Sequence, residues 1–211
     1  MQRTAPRLGA IAIALVIIGT IAILPERYHI LPEWFSYVAS AAILIPMIVV
    51  ASTKGRLRRS EQIIELVAIS SALAFNGANV LVTAYNVVEN PAAMQPVPLF
   101  YTSVAIWTGN FLIFALMYWL IDGGGPDARI NEPRPLPDFD FPAMEDERRV
   151  AMGWQPGIID YLFLAFTTST AFSPTEAMPM TARAKILMVF QSCVSLITIL
   201  IVAARTINIL K

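Results

Sequence analysis

The sequence predicts an all-α integral membrane protein with five transmembrane helices and one shorter, pore-type helix. Of its 211 residues, 56% are hydrophobic and only 14% are charged, whereas soluble domains carry about 25% charged residues. Several apolar stretches are long enough to cross a bilayer. A run of four hydroxyl residues interrupts this apolar pattern near the C terminus. Together these observations predict a helical protein whose partner is the lipid bilayer.

Five stretches can each form a helix across about 30 Å of hydrocarbon, which takes roughly 17 to 25 residues. They cover residues 8–24, 34–51, 63–88, 97–121 and 186–204. A sixth stretch, 158–172, is marginal in length. We expect it either to span the bilayer or to re-enter from the side on which it began.

The basic residues predict the orientation of these helices. Four cations lie within residues 54–59, between the second and third stretches. The positive-inside rule predicts that this connection is cytoplasmic, together with the N terminus, which carries Arg3 and Arg7 two crossings earlier. Counting onward from 54–59, the connection at 122–156 is also expected on the cytoplasmic side.

Composition divides the chain into three regions. Residues 1–121 are predicted to form a four-helix transmembrane region, and residues 157–211 a pore helix, a hydroxyl-rich loop and the final transmembrane helix. Between them, residues 122–156 contain six prolines, eight acidic and four basic side chains. Such a composition disfavours a packed core of its own, so we expect an extramembrane loop lying over the membrane face. Phe139 and Phe141 are candidates to hold part of it in place.

The hydroxyl run is the candidate functional site. A short helix is expected to begin near Asp160, whose carboxylate suits the positive end of a helix dipole, and to end near the run. Its negative end would then face the hydroxyls and attract cations. Hydroxyls at membrane depth must pair with protein or face water. The predicted filter-like, pore-lining residues are Thr167, Thr168, Ser169, Thr170, Ala171 and Phe172.

The final helix carries a polar stripe. Gln191, Ser195 and Thr198 recur at helical spacing in an otherwise apolar sequence. A stripe of this kind either lines a cavity or holds helices together through hydrogen bonds. The sequence leaves both interpretations open.

The region from Asp160 to Leu210, about a quarter of the chain, resembles the pore helix, filter and inner helix of potassium channels. Trp107 to the C terminus, including Asp140-Phe141-Pro142, is similar to a family of uncharacterised bacterial multi-pass membrane proteins. The resemblance implies a bacterial inner-membrane protein and a homo-oligomer, a tetramer if it is channel-like. The residues that correspond to the channel pattern are Asp160, Phe163, Phe166, Thr167, Thr168, Pro179, Thr181 and Lys185.

One departure from the potassium-channel pattern concerns selectivity. Potassium filters continue as Val-Gly-Tyr-Gly, because inward-pointing carbonyls require backbone with positive φ. Here the same positions are Ser169-Thr170-Ala171-Phe172, without glycine. If ions pass, we therefore expect hydroxyls to coordinate them, with no strict selectivity for potassium among monovalent cations.

Three functional hypotheses follow. The first is a channel-like protein that passes monovalent cations, and the second is a non-conducting membrane scaffold or interaction protein. A secondary transporter ranks third because no internal repeat is visible. An enzyme is not expected, since the chain has one histidine, His29, one cysteine, Cys193, and no clustered metal ligands. Neither cofactor, metal nor nucleic acid is predicted to bind.

Overall fold

The computed structural model describes residues 58–90, 95–131, 136–173 and 176–209. Most of the described residues are helical, and two short strands pair antiparallel. The predicted helices at 8–24 and 34–51 lie outside the described residues, as does most of the basic connection 54–59. The helices are α1 (Arg58–Glu89), α2 (Pro96–Ile121), α3 (Pro126–Asn131), α4 (Glu147–Ala151), α5 (Ile158–Ala171) and α6 (Ala182–Ile209), and the strands are β1 (Phe139–Asp140) and β2 (Met178–Pro179).

Three described helices are long and apolar enough to cross a membrane. They cover Gln62–Glu89, Pro96–Gly124 and Ala182–Ala204, close to the stretches predicted at 63–88, 97–121 and 186–204. The prediction of a mostly helical protein is confirmed, and these three stretches form helices of the predicted length and apolar character. α5 (Ile158–Ala171) forms where the sixth stretch was expected, at 158–172, and is much shorter than these three helices.

Helix α2 is the centre of the described structure and packs against α1, α5 and α6. Its residues from Leu112 to Leu120 are all buried. Three glycines with positive φ, Gly123 to Gly125, end this helix and turn the chain. A Cβ at Gly125 would lie 2.7 Å from Gln62 Nε2 and 2.9 Å from the Leu120 carbonyl oxygen. Only glycine therefore fits this turn between α2 and α3, which lies against Gln62 of α1.

The segment after α2 folds onto the ends of the long helices. Phe139 and Phe141, predicted to hold this loop in place, are 0% and 1% exposed and belong to the main hydrophobic core. Their rings contact Tyr118 and Tyr161, with centroids 4.9 Å apart for Phe139–Tyr118 and 5.5 Å for Phe141–Tyr161. The segment thus shares the core of the helices. We call the described residues of 122–157 and 176–181 the polar cap.

Helices α5 and α6 both begin at the polar cap. Tyr161, in the first turn of α5, donates a hydrogen bond to Asp122 Oδ2, and Arg183, in the first turn of α6, donates one to the Ile121 carbonyl. α5 has 14 residues and α2 has 26, so at 1.5 Å per residue α5 extends about 21 Å, roughly half the length of α2.

The chain then returns from the far end of α5 to the polar cap. Strand β2 pairs with β1 there, with Phe139 opposite Pro179 and Asp140 opposite Met178. The Met180 N–H also donates to the Asp138 carbonyl at 2.8 Å. Residues 158–181, which we call the turn-back segment, therefore leave and rejoin the same end of the helices.

Candidate functional site

The hydroxyl run is helical, which differs from the prediction that the helix ends beside it. α5 continues through Ala171. Thr167 Oγ1 donates to the carbonyls of Phe163 and Leu164, both at 3.0 Å, and Thr168 Oγ1 donates to Leu164 at 2.8 Å. Threonine hydroxyls can bond the carbonyls three or four residues earlier, so such residues are accommodated inside a helix.

Only part of the predicted filter-like set lies on an open surface of the chain. Thr167, Thr168 and Ser169 are 9%, 1% and 0% exposed, whereas residues 170–172 are exposed. The Thr167 and Thr168 hydroxyls bond carbonyls of α5 itself, and Ser169 Oγ accepts a hydrogen bond from Gln191 of α6. The last three remain available to an external passage or partner.

Asp160 lies in the first turn of α5, as expected from its position. Its Oδ2 accepts a hydrogen bond from the Gly157 N–H at 2.7 Å. A carboxylate here satisfies an N–H at the helix start and is favoured by the dipole. In the structure, Asp160 therefore caps the start of its own helix.

Gln191 connects three helices. Its Nε2 donates to the Ala165 carbonyl at 2.6 Å and to Ser169 Oγ at 2.8 Å on α5. Its Oε1 accepts the Tyr118 hydroxyl of α2 at 2.5 Å. Gln191 is fully buried, so both ends of its amide are used inside the chain.

The rest of the polar stripe also faces inward. Asn110 Nδ2 of α2 donates to Ser195 Oγ at 2.8 Å and to the Gln191 carbonyl at 3.1 Å. Thr198 Oγ1 donates to the Val194 carbonyl of its own helix at 2.7 Å. The contacts of Gln191 and Ser195 join α6 to α2 and α5, as in the interpretation in which the stripe holds helices together. Thr198 bonds only within its own helix.

The end of α5 is exposed and locally strained. Phe172 has φ 54° and ψ 25° and is the one non-glycine residue with positive φ in the described ranges. Left-handed backbone costs an L-residue roughly 1–2 kcal/mol, and such conformations concentrate at functional sites. Phe172 caps the helix where the chain turns back, and Thr170 to Ser173 are all exposed.

Two buried carboxylates organise the polar cap, and the sequence did not single them out. Asp138 is 0% exposed. Arg183 binds both of its oxygens, Nε to Oδ1 at 2.6 Å and Nη2 to Oδ2 at 2.5 Å, while Thr181 Oγ1 and the Gly123 N–H donate as well. Burial opposes ionisation, but these donors and the charge of Arg183 outweigh it and hold the Asp138 pKa below its ordinary value.

Asp122 is the second buried carboxylate. Its Oδ1 accepts the backbone N–H groups of Asp138 and Phe139 at 2.6 and 3.1 Å, and its Oδ2 accepts Tyr161. Arg129 donates to the carbonyls of Asp122 and Trp119 at 2.6 and 3.0 Å. The last carbonyls of a helix have no N–H donor within the helix, so Arg129 supplies the hydrogen bonds at the end of α2.

A row of unpaired polar atoms lies on one face of α2. Ser103 Oγ, Trp107 Nε1 and Asn110 Oδ1 are buried and have no hydrogen-bond partner in the described part of the chain. Their spacing of four and three residues places them on one side of the helix. Trp107 and Asn110 are recognisable in the sequence as polar residues within a transmembrane stretch. That these atoms are buried without a partner follows from the packing of the helices and cannot be read from the sequence.

The described ranges contain no group of three or more His, Cys, Asp or Glu side chains placed to hold a metal ion. Comparison of the chain with protein-family models, curated proteins and solved structures finds no match in any of the three. The resemblance of the C-terminal region to potassium channels therefore stays a prediction from the sequence.

Proposed function

We propose that this chain is one subunit of a channel-like membrane assembly in which the turn-back segment enters the bilayer and returns to the side where it began. One observation carries the proposal. The end of α5, residues 170–173, is exposed on the chain, about 21 Å of helix away from the polar cap by the length of α5.

An exposed helix end at this depth has a physical cost. The last four carbonyls of a helix have no intrahelical donor. Within hydrocarbon such groups are tolerated only where protein buries them or where they line a water-filled cavity. A bilayer-embedded α5 therefore requires further copies of the chain or water at its end. In a homo-oligomer around an aqueous passage, neighbouring copies would bury part of this helix end and water would hydrogen-bond the rest.

The groups that line this passage differ from the first expectation. Thr167, Thr168 and Ser169 are buried within the chain, so we assign the lining to Thr170 and to the backbone that follows it. The negative end of the α5 dipole faces this region and favours cations. Without glycine, an ordered file of inward carbonyls is disfavoured, so the proposed cargo is monovalent cations without strict potassium selectivity.

The positive-inside rule supports a cytoplasmic polar cap. Arg129, Arg148 and Arg149 lie in it, Lys185 lies next to it, and the 54–59 cations precede the same end of α1. The turn-back segment would then enter from the cytoplasmic side. Potassium-channel pore loops enter from the opposite side, so the resemblance concerns the segment and not its orientation.

Flux measurements on purified protein in liposomes test the proposal. Wild-type protein should pass potassium, sodium and rubidium. Both Thr170 and Thr167 donate to carbonyls of α5, but only Thr170 is exposed. Thr170→Val should therefore change the flux, while the matched Thr167→Val removes a buried hydroxyl and should leave it unchanged. Absence of cation flux in every oriented preparation would overturn the proposal.

The second candidate function is a non-conducting membrane scaffold or interaction protein. It is favoured by the closed polar contacts of Gln191 and Ser195, which leave these groups fully buried inside the chain. Under this alternative, variants of the stripe lower stability and no liposome preparation conducts. Flux from the wild-type protein decides between the two.

A further inference from the structure

Two unpaired polar atoms occupy neighbouring positions on the buried face of α2. Trp107 Nε1 and Asn110 Oδ1 are buried and have no hydrogen-bond partner among the residues that the structure describes. In a helix, side chains three residues apart are neighbours, with about 5–6 Å between their Cβ atoms. An indole nitrogen only donates, whereas an amide oxygen only accepts. One donor and one acceptor are therefore left unused next to each other.

Contacts with α6 fix the orientation of the Asn110 amide. Its Nδ2 donates to the Gln191 carbonyl at 3.1 Å and to Ser195 Oγ at 2.8 Å. A backbone carbonyl can only accept, so this end of the amide must be the nitrogen. Asn110 is 1% exposed, so its oxygen does not reach water outside the chain. Turning the amide over would break these two bonds, and the oxygen therefore stays an unused acceptor.

Trp107 also belongs to a cluster of three aromatic rings. Its ring centroid is 5.3 Å from that of Phe111 and 6.0 Å from that of Phe166, and the two phenylalanine centroids are 5.7 Å apart. All three pairs meet edge to face. Phe166 of α5 is 42% exposed, so the cluster joins the indole to the outer surface of the chain. An apolar group lying on these rings would have its end beside the indole.

We propose that Trp107 and Asn110 bind one neutral hydroxyl group between α2, α5 and α6. The hydroxyl oxygen accepts a hydrogen bond from Trp107 Nε1, and its own proton is donated to Asn110 Oδ1. Two bonds of about 2.7–3.0 Å each span the distance between neighbouring helix positions. A carboxylate has no proton for the amide oxygen, and a metal or ammonium ion cannot accept from the indole. The pair therefore selects a group that both accepts and donates.

Two kinds of molecule can bring such a group into this position. Water is one, since buried waters bond polar groups that the protein leaves unpaired. A small alcohol is the other, with its hydroxyl at the pair and its alkyl chain on Phe111 and Phe166. The same two hydrogen bonds hold either molecule. The inference does not depend on ion conduction.

Crystal structures of the full-length protein grown with and without hexanol test the site. Density should lie within hydrogen-bonding distance of both Trp107 Nε1 and Asn110 Oδ1. A compact peak in both crystals identifies water, and density that extends over Phe111 only with hexanol identifies the alcohol; either supports the proposal. Trp107→Phe keeps an aromatic ring without the N–H and should lose the peak. Ser103→Ala removes the third unpaired atom of this face and, as the matched control, should keep it.

Nuclear magnetic resonance in lipid nanodiscs repeats the test through the indole N–H of Trp107, whose signal is identified by its loss in Trp107→Phe. This proton should show a cross-peak with water, or with hexanol after hexanol is added. Hexane, which lacks the hydroxyl, should not displace the water signal, and displacement by hexane would indicate a purely apolar site. The proposal is also overturned by a wild-type map with no density between the two atoms, or by an indole proton with neither cross-peak.

Discussion

Tyr118 and Gln191 join helices α2 and α6 through a buried hydrogen bond of 2.5 Å between residues 73 positions apart. The same glutamine also binds Ala165 and Ser169 of α5. One amide therefore fixes the position of α5 against both long helices. This contact determines where the short helix lies along the bundle.

Replacing Gln191 with leucine should lower the free energy of unfolding by roughly 2 kcal/mol. The change leaves the Tyr118 hydroxyl without its acceptor and removes the bonds to the Ala165 carbonyl and to Ser169 Oγ. Unpaired buried groups cost about 1–3 kcal/mol in water-soluble proteins and less between membrane helices. Thermal unfolding in detergent measures it. Cys193→Ser, at an exposed position of α6, is the control. If the losses of unfolding free energy in Gln191→Leu and Tyr118→Phe simply add in the double variant, the two side chains do not interact, which would contradict the contact.

Ser103→Ala should raise stability by about 1 kcal/mol, because it removes a buried hydroxyl that has no partner among the described residues. Ser195→Ala makes the same chemical change where the hydroxyl accepts a bond from Asn110, so it should lower stability. Opposite signs in paired unfolding measurements support the contacts described. A loss of stability in Ser103→Ala would instead show that this hydroxyl binds a partner such as ordered water.

Phe172→Gly should stabilise the fold by about 0.5–1 kcal/mol. Glycine adopts left-handed backbone without the cost borne by phenylalanine, and part of this gain is offset by glycine's greater freedom when unfolded. Phe172→Ala removes the ring and keeps the strain, so it separates the two contributions. Chemical unfolding of the three proteins gives the comparison. A less stable glycine variant, with alanine equal to it, would mean that ring contacts dominate.

Acidification should weaken the polar cap through Asp138. Its pKa in the folded chain is lowered, so its contribution is complete above the ordinary aspartate pKa of about 3.9 and is lost as the pH falls through the lower folded value. Asp138→Asn should lose roughly 2 kcal/mol at neutral pH and show a smaller further loss on acidification. Unfolding temperatures measured from neutral to acidic pH provide the test.

Asp146→Asn is the control for Asp138→Asn. Asp146 pairs with Arg149 at 3.6 Å, and both side chains are about half exposed. Exposed pairs contribute little, so this variant should follow the wild-type pH profile. Equal profiles for wild type and Asp138→Asn would contradict the assigned role of Asp138.

The long helices could be predicted from the sequence because the pattern that specifies each helix lies within its own residues. A stretch such as 97–121 is apolar over enough residues to span hydrocarbon, whatever surrounds it. The orientation of Thr167 and Thr168 could not be predicted in this way. Threonine is accommodated both in helices and in extended backbone. Which side of α5 is buried depends on its packing against α2 and α6, including the bond from Gln191, which lies 22 positions beyond Ser169.

The contacts of the polar cap also could not be predicted from local sequence. Charged and proline-rich sequence indicates a solvated loop, yet Asp138 is buried because Arg183, 45 positions later, neutralises it. Phe139 and Phe141 were recognisable as apolar residues in a polar context. Their pairing with Tyr118 and Tyr161 depends on the return of the chain to the cap, which no local pattern encodes.

The sidedness of cysteines placed before and after α5 tests the central claim most directly. In a Cys193→Ser background, single cysteines at Met152, Glu176 and Asn90, all exposed, are labelled with a membrane-impermeant thiol reagent from each side of sealed vesicles. The turn-back arrangement predicts that Met152→Cys and Glu176→Cys react from one side and Asn90→Cys from the other. Labelling of Met152→Cys and Glu176→Cys from opposite sides would show that α5 spans the membrane and would contradict the account.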